Sequence, residues 1–131
     1  MLEIAHEKGC YSALYAAEAV TFLAHTDEAP FHLIVAADVL PYVGDAVPLL
    51  SSTAARLLSG GLIAFSTEIP PPGVVFADGY GVGPNQRFAH EPDYLRRCLS
   101  ETGFGLTHAE PITVRHESGK PVVGELIIAQ L

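Results

Sequence analysis

A carboxylate at the end of an apolar stretch is the strongest chemical feature of this sequence. Asp38 follows Phe31–Ala37, a nearly continuous apolar run typical of a parallel strand covered on both faces. A carboxylate there must meet water, a hydrogen-bond donor or a ligand, because a buried unpaired charge is costly. Asp38 is therefore the first candidate for a ligand-binding residue.

Two other patterns of reactive residues are less specific. His6 and Cys10 are spaced i, i+4, but no second pair such as Cys-x-x-Cys accompanies them, and we predict no metal site. The segment Val74–Gly83 contains an acid followed by Gly-x-Gly-x-Gly, which is typical of nucleotide-binding turns. It runs into Pro84 instead of an apolar helix, so no helix N-terminus would help to bind a ligand. A mobile hairpin over the site is the better interpretation.

Strands and helices alternate around Asp38. After the first apolar run, Asp45 is placed to cap a helix with an apolar stripe, Gly60 and Gly61 end that helix, and Leu62–Phe65 predicts a second buried strand. This order predicts a right-handed crossover in an α/β sheet. The remaining predictions are a short helix over Leu2–Lys8, a short strand over Tyr11–Ala17, a turn or short helix over Glu18–His25, a loop over Ile69–Gln86, a helix from Pro92 to Gly103, and strands over Phe104–Glu117 and Pro121–Leu131 joined by a turn at Gly119.

Composition limits the partners of the protein. The 131 residues suit one domain, and 49% hydrophobic with 17% charged residues predicts a globular chain. A formal net charge of −8 disfavours nucleic acid and anionic lipid surfaces. No run approaches the ~20 apolar residues of a membrane span, and the start lacks a basic segment followed by an apolar one. We therefore expect a cytoplasmic protein without nucleic-acid or membrane partners.

Four segments, taken in order and spacing, resemble one protein family. The segments Phe31–Leu40, Pro41–Asp45, Leu57–Ser66 and Tyr94–Phe104 are similar to the back half of class I S-adenosylmethionine-dependent methyltransferase domains. The resemblance implies an α/β fold with a partial Rossmann-like sheet, strands ordered 4-5-7-6, the last strand antiparallel and helices on both faces. It also implies methyl transfer from S-adenosylmethionine to a small-molecule or protein acceptor.

The resemblance assigns roles to individual residues. Tyr42 would border the methyl-transfer site, and Arg87 would bind an anionic substrate group. His90 would contact substrate or act as a base with a pKa near ~6.5. The alternatives are loop packing for Tyr42, a solvated loop arginine and a helix-capping histidine. The cofactor-binding residues implied are Glu18, Ala19, Ala36, Ala37, Asp38 and Leu40, with Glu18 equally interpretable as a helix cap.

The glycine-rich first motif of the family does not precede Met1 in this sequence. Residues 1–131 are therefore interpreted as a single truncated domain in which one edge of the first buried strand is bare. We expect the first segment to be re-paired onto that edge or swapped with another chain, and a homodimer through the exposed edge. The alternative function is a non-catalytic remnant acting as an oligomerisation or interaction module.

Overall fold

A computed structural model describes all residues from Met1 to Leu131. One 3-10 turn, Leu40–Tyr42, lies among the helices and strands. The elements are α1 (Leu2–Glu7), α2 (Ala19–His25), β1 (Phe31–Ala36), α3 (Val47–Arg56), β2 (Leu57–Glu68), β3 (Tyr80–Val82), β4 (Phe88–His90), α4 (Pro92–Glu101), β5 (Gly105–Glu117) and β6 (Lys120–Gln130).

Four strands form one sheet in the order β1-β2-β6-β5. β1 and β2 are parallel, with Ala36 opposite Phe65, whereas β6 runs antiparallel to both β2 and β5. This is the predicted order, with the predicted antiparallel last strand. The turn between β5 and β6 places Ser118 and Gly119 at positive φ, as a two-residue hairpin with right-handed strand twist requires.

The hydrophobic core lies on one face of the sheet. Ile63, Phe65 and Ile127 point from the central strands toward α3 and α4 and are at most 2% exposed. Leu50 on α3 and Leu95 on α4 meet them from the helix layer. Burial of each such side chain contributes about 1.5–3 kcal/mol. The helices that pack on the sheet therefore lie on one face, whereas the sequence analysis expected helices on both faces.

The opposite face and the outer edge of β1 are open. Leu33 and Val35 are 51% and 63% exposed, and β1 has no partner on its outer side. The predicted strand over Tyr11–Ala17 is wrong, and the first segment does not re-pair with β1. That segment is mostly alanine and serine with no β-branched residue, so its strand propensity is low. Exchange of the segment with a second chain stays a prediction.

Several element boundaries differ from the sequence prediction. Gly60 and Gly61 lie within β2, which begins at Leu57, so the helix α3 ends before the glycine pair. A carboxylate oxygen of Asp45 accepts a hydrogen bond from the Val47 N–H at 3.0 Å. Asp45 lies one residue before the N-cap of α3, which is Ala46. None of the helices combines the length and the hydropathy needed to cross a membrane.

Candidate functional site

The carboxyl ends of β1 and β2 lie side by side, as the sequence predicted. Asp38 follows β1 with φ of +54°, a left-handed conformation that aspartate tolerates better than most residues. Its backbone N–H donates to the Ser66 hydroxyl on β2 at 3.1 Å. This bond and the tight turn leave the carboxylate half exposed at the end of the sheet where open α/β sheets bind ligands.

Five charged residues surround this end of the sheet and are called here the strand-tip cluster: Asp38, Glu68, Arg87, Arg115 and Glu117. The Arg115 guanidinium contacts Glu68 Oε1 at 2.5 Å and Glu117 Oε1 at 2.8 Å. Burial by itself would lower the pKa of Arg115, but the bonds to Glu117 and Glu68 outweigh it and raise the pKa. Arg115 therefore stays charged and joins the tips of β2 and β5.

Two arginine side chains converge on one oxygen of Asp38. Arg87 Nη1 and Arg115 Nη1 each lie 3.7 Å from Asp38 Oδ1, too far for a hydrogen bond. Both nitrogens are buried and have no hydrogen-bond partner. The Arg87 guanidinium also lies 5.3 Å from the centre of the Tyr42 ring, within cation–π range. The structure thus brings together three predicted site residues, Asp38, Arg87 and Tyr42.

Sequence reasoning missed three members of this cluster, Glu68, Arg115 and Glu117. Arg115 lies within a long strand, and only the register of the β5–β6 hairpin, which pairs Arg115 with Val122, carries it to the strand tips. The turn at Gly119 was the available signal, since counting back from a two-residue turn fixes which residues reach the sheet end.

His90 lies in a buried polar network. Its Nε2 donates to the Gly44 carbonyl at 2.9 Å, and its Nδ1 accepts from the Thr67 hydroxyl at 3.0 Å. The side chain is fully buried, and Glu91, not His90, occupies the N-cap of α4. Burial lowers the pKa of His90 and outweighs the Gly44 and Val43 carbonyls and the charge of Glu68, which raise it. A neutral ring with both nitrogens bonded ties β4 to β2 and to the loop before α3.

An apolar groove runs between β1, α2 and α3. Ala19 and Ala36 both line it, together with Phe22, and its volume is about 310 Å³. Glu18 caps α2, with its carboxylate accepting from Val20 N at 3.0 Å and Thr21 N at 2.8 Å. These backbone bonds lower the pKa of Glu18.

The other two residues predicted to bind cofactor have opposite surroundings. Ala37 is exposed at the tip of the sheet beside Asp38. Leu40 is 2% exposed and belongs to the hydrophobic core. Of these two residues, Ala37 alone is exposed to solvent.

A second cavity of about 480 Å³ lies between the loop after β2 and the β5–β6 hairpin. We call it the proline cleft. Its walls are largely apolar, and its polar side chains are Glu68, Asn85 and Glu117. The lining residues are Glu68, Ile69, Pro70, Pro71, Pro72, Gly83, Pro84, Asn85, Ala89, Glu117, Pro121, Val122 and Val123.

The glycine-rich segment Val74–Gly83 contributes packing at this end of the sheet. A Cβ on Gly79 would lie 2.6 Å from the Tyr94 Cβ, and a Cβ on Gly81 would overlap the Phe76 ring. Gly81 belongs to β3, which pairs with β4 in a hairpin, as the sequence interpretation favoured. Gly79 and Gly81 are thus required by the close approach of the Tyr94 and Phe76 side chains.

No cluster of three or more histidine, cysteine, aspartate or glutamate side chains has an arrangement that could hold a metal ion. His6 lies on α1, and Cys10 is an exposed free thiol in the segment that follows.

Comparison with known proteins gives structural matches only. No protein-family model matches the sequence, and no curated protein matches it. A magnesium protoporphyrin IX methyltransferase from Synechocystis, solved with bound S-adenosylhomocysteine, is similar with a TM-score of 0.66 and 17% identity over 98% of this chain and 56% of that chain. An N-methyltransferase from Bradyrhizobium japonicum, also solved with S-adenosylhomocysteine, is similar with a TM-score of 0.62 and 16% identity. The match covers 96% of this chain and 58% of that chain.

A third solved structure agrees with these two. A methyltransferase from Methanosarcina mazei, described as dependent on S-adenosylmethionine, gives a TM-score of 0.60 and 16% identity over 82% of this chain. The chain spans 63% of that structure, and thus less than two thirds of each of the three.

The strand order and the antiparallel last strand define a Rossmann-like sheet of a particular kind. The three solved structures described above are methyltransferases. The chain has the fold of the class I S-adenosylmethionine-dependent methyltransferases, which confirms the resemblance predicted from the sequence.

Proposed function

We propose that the chain takes part in S-adenosylmethionine-dependent methyl transfer to a small-molecule or protein acceptor. The supporting observation lies at the tips of β1 and β2, where the half-exposed Asp38 carboxylate is 3.7 Å from Arg87 and from Arg115. Bound S-adenosylmethionine would supply an electrophilic methyl group carried on a positively charged sulfur. The protein's part is then to position two molecules, because alignment alone removes much of the barrier to such a transfer.

The residues at the strand tips fit this cofactor. Ala36 and Ala37 each carry only a methyl group, so a ligand can approach the backbone at the end of β1. We propose that these alanines and Asp38 hold the methionine part, with the carboxylate of Asp38 complementing a cationic ligand. Ala19 would offer its backbone N–H to the adenine ring. The Glu18 carboxylate is already bonded to the α2 N-terminus, which makes its contribution one of positioning Ala19.

The remaining candidates divide by exposure. Tyr42 is 67% exposed and lies below Arg87, so we propose that both border the acceptor, with Arg87 binding an anionic group of either bound molecule. His90 is buried with both nitrogens bonded, so we propose a positioning role that fixes the β3–β4 hairpin over the strand tips. Leu40 supports the site from the core.

Calorimetric titration with S-adenosylhomocysteine tests the proposal. We expect the chain to release heat on saturation, and Asp38→Asn to bind at least about tenfold more weakly, since a bond to a charged group contributes about 1.5–3 kcal/mol. Asparagine tolerates the left-handed backbone of this position, so the substitution removes charge with little change in conformation. The control is Asp78→Asn in an exposed loop. Absence of binding by the unmodified chain would refute the proposal.

A second candidate function rests on the open edge of β1. The unpaired strand and the exposed Leu33 and Val35 favour an interaction module, and a homodimer through this edge. Light scattering after size-exclusion chromatography distinguishes a monomer from a homodimer. We expect a dimer that Val35→Lys converts to a monomer, whereas a monomeric unmodified chain would contradict the homodimer.

A further inference from the structure

We infer that the proline cleft binds the methyl acceptor, and that the acceptor carries an amine on an apolar body. The inference deepens the proposed function: the ligand of the cleft is a methyl acceptor only if the chain takes part in methyl transfer. The binding of an amine in the cleft depends only on the contacts described below.

The walls of the cleft are apolar and poor in hydrogen-bond donors. Five of the thirteen lining residues are prolines, which have no backbone N–H. Among the others, the N–H of Ile69 donates to the Val123 carbonyl at 3.2 Å, and the N–H of Gly83 donates to the Arg87 carbonyl at 2.8 Å. The donors of these two residues are therefore unavailable to a ligand, and the rings of the prolines offer it flat apolar surfaces.

The polar end of the cleft consists of hydrogen-bond acceptors. Glu68 and Glu117 contribute carboxylates. The side chain of Asn85 donates to Glu68 Oε2 at 3.0 Å, and its oxygen accepts from the Arg87 N–H at 3.2 Å. The amide group of Asn85 is thus already engaged on both sides. Both oxygens of the buried Glu68 are engaged as well, by Arg115 and Asn85, so the carboxylate open to a ligand is that of Glu117, which is 40% exposed.

Charge points to the same class of ligand. Arg115 is the cation that pairs with both Glu68 and Glu117, and it does not itself line the cleft. Two carboxylates against one guanidinium leave one negative charge uncompensated at this end. A protonated amine balances that charge and supplies the donors that the cleft lacks, whereas a carboxylate or phosphate would be repelled.

Arg115 also connects the cleft to the proposed cofactor crevice. One of its terminal nitrogens lies 2.5 Å from Glu68 Oε1, and the other lies 3.7 Å from Asp38 Oδ1. A single guanidinium group therefore separates the polar end of the cleft from the carboxylate at the tip of β1. An amine held against Glu117, which pairs with the same Arg115, lies beside the proposed cofactor site, which is the position that a methyl acceptor requires.

Titration of the isotope-labelled chain with benzylamine, followed by two-dimensional ¹H–¹⁵N NMR, tests the inference. Benzoate and benzyl alcohol are matched probes with the same ring and a negative or neutral polar group. We expect benzylamine to shift the amide signals of Glu68, Asn85 and Val122 in a saturable manner, with benzyl alcohol weaker and benzoate without effect on these signals. Equal or stronger shifts of the cleft signals with benzoate would overturn the inference.

Two variants keep the test decisive. Glu117→Gln removes one carboxylate from a position where the side chain is 40% exposed, so the fold should tolerate it. It should weaken benzylamine binding roughly threefold to fivefold, as expected for a partly exposed charge pair. Val122→Phe fills the cleft and should abolish the shifts, while Glu110→Gln on the exposed part of β5 serves as the control. Unchanged benzylamine binding in both Glu117→Gln and Val122→Phe would place the amine elsewhere and overturn the inference.

The same preparation separates this inference from the proposed function. Amine binding in the cleft together with no binding of S-adenosylhomocysteine would support the ligand class and refute methyl transfer. Binding of S-adenosylhomocysteine with no amine binding in the cleft would refute the inference and support the function.

Discussion

Replacement of His90 by phenylalanine should destabilise the protein, because the histidine completes a buried polar network. The phenylalanine ring is close in size and would occupy the same space beside Tyr80 and Tyr94, whose ring centres each lie 6.1 Å from that of His90. The change therefore removes two hydrogen bonds without creating a large cavity. The carbonyl of Gly44 loses its donor, and the hydroxyl of Thr67 loses its acceptor.

The two losses differ in size. The Thr67 hydroxyl can turn to the Glu68 carbonyl, which already lies 3.3 Å away, so it recovers a weaker bond. The Gly44 carbonyl has no such alternative among the contacts of the network, and a buried polar group left unpaired costs about 1–3 kcal/mol. We expect His90→Phe to lower the free energy of unfolding by about 2 kcal/mol. His90→Gln should lose less, because its amide can still donate toward Gly44.

Urea unfolding followed by circular dichroism at neutral pH measures these differences. The informative comparison is between the two variants, since both remove the imidazole and one of them retains a donor. The reasoning about the network would be wrong if His90→Phe were as stable as the unmodified protein. It would also be wrong if His90→Gln were the less stable of the two variants.

Three further predictions concern pH, backbone packing and the core. Burial lowers the pKa of His90, so the folded state binds fewer protons than the unfolded state, and stability should fall as pH decreases below the ordinary histidine pKa of about 6.5. In urea unfolding from pH 8 to 5.5, the stability difference between the unmodified protein and His90→Phe should therefore shrink toward low pH. Gly124→Ala should prevent or strongly weaken folding, because its Cβ would overlap the Thr67 carbonyl and the Val114 side chain; a cooperative thermal transition near that of the unmodified protein would contradict this. Leu95→Ala should cost about 2–5 kcal/mol in urea unfolding, since Leu95 is fully buried in the core, and a loss below about 1 kcal/mol would argue against its central position.

The proposed site combines two levels of organisation. Asp38 adopts a left-handed backbone conformation at the tip of β1, and the tertiary structure brings Arg87, from the loop before β4, and Arg115, from β5, close to it. Neither arginine makes a hydrogen bond to it at 3.7 Å, so the Nη1 atom of each arginine is left without a hydrogen-bond partner. A binding site with unused donors beside a carboxylate is suited to a ligand with charges of both signs.

The sequence by itself determined the strands β1 and β2, the helices α3 and α4, and the β5–β6 hairpin. These elements follow from signals that lie within a few residues of one another: the apolar run before Asp38, the apolar periodicity of the helices and the turn at Gly119. The antiparallel last strand was predicted by resemblance, and the register of the sheet confirms it. The strand over Tyr11–Ala17 was wrong because three of its seven residues are alanine, which has low strand propensity, and none is β-branched.

The tertiary structure alone decided the surroundings of the candidate residues. Three features join residues that are more than twenty positions apart in the chain. They are the buried hydrogen bonds of His90, the ion pair between Glu68 and Arg115, and the proline cleft. Such contacts depend on the register of β5 against β6 and on how the β3–β4 hairpin folds over β2. The turn at Gly119 fixes the β5–β6 register, but no local signal records how that hairpin lies against β2 or where the β3–β4 hairpin packs, because these contacts join segments far apart in the chain.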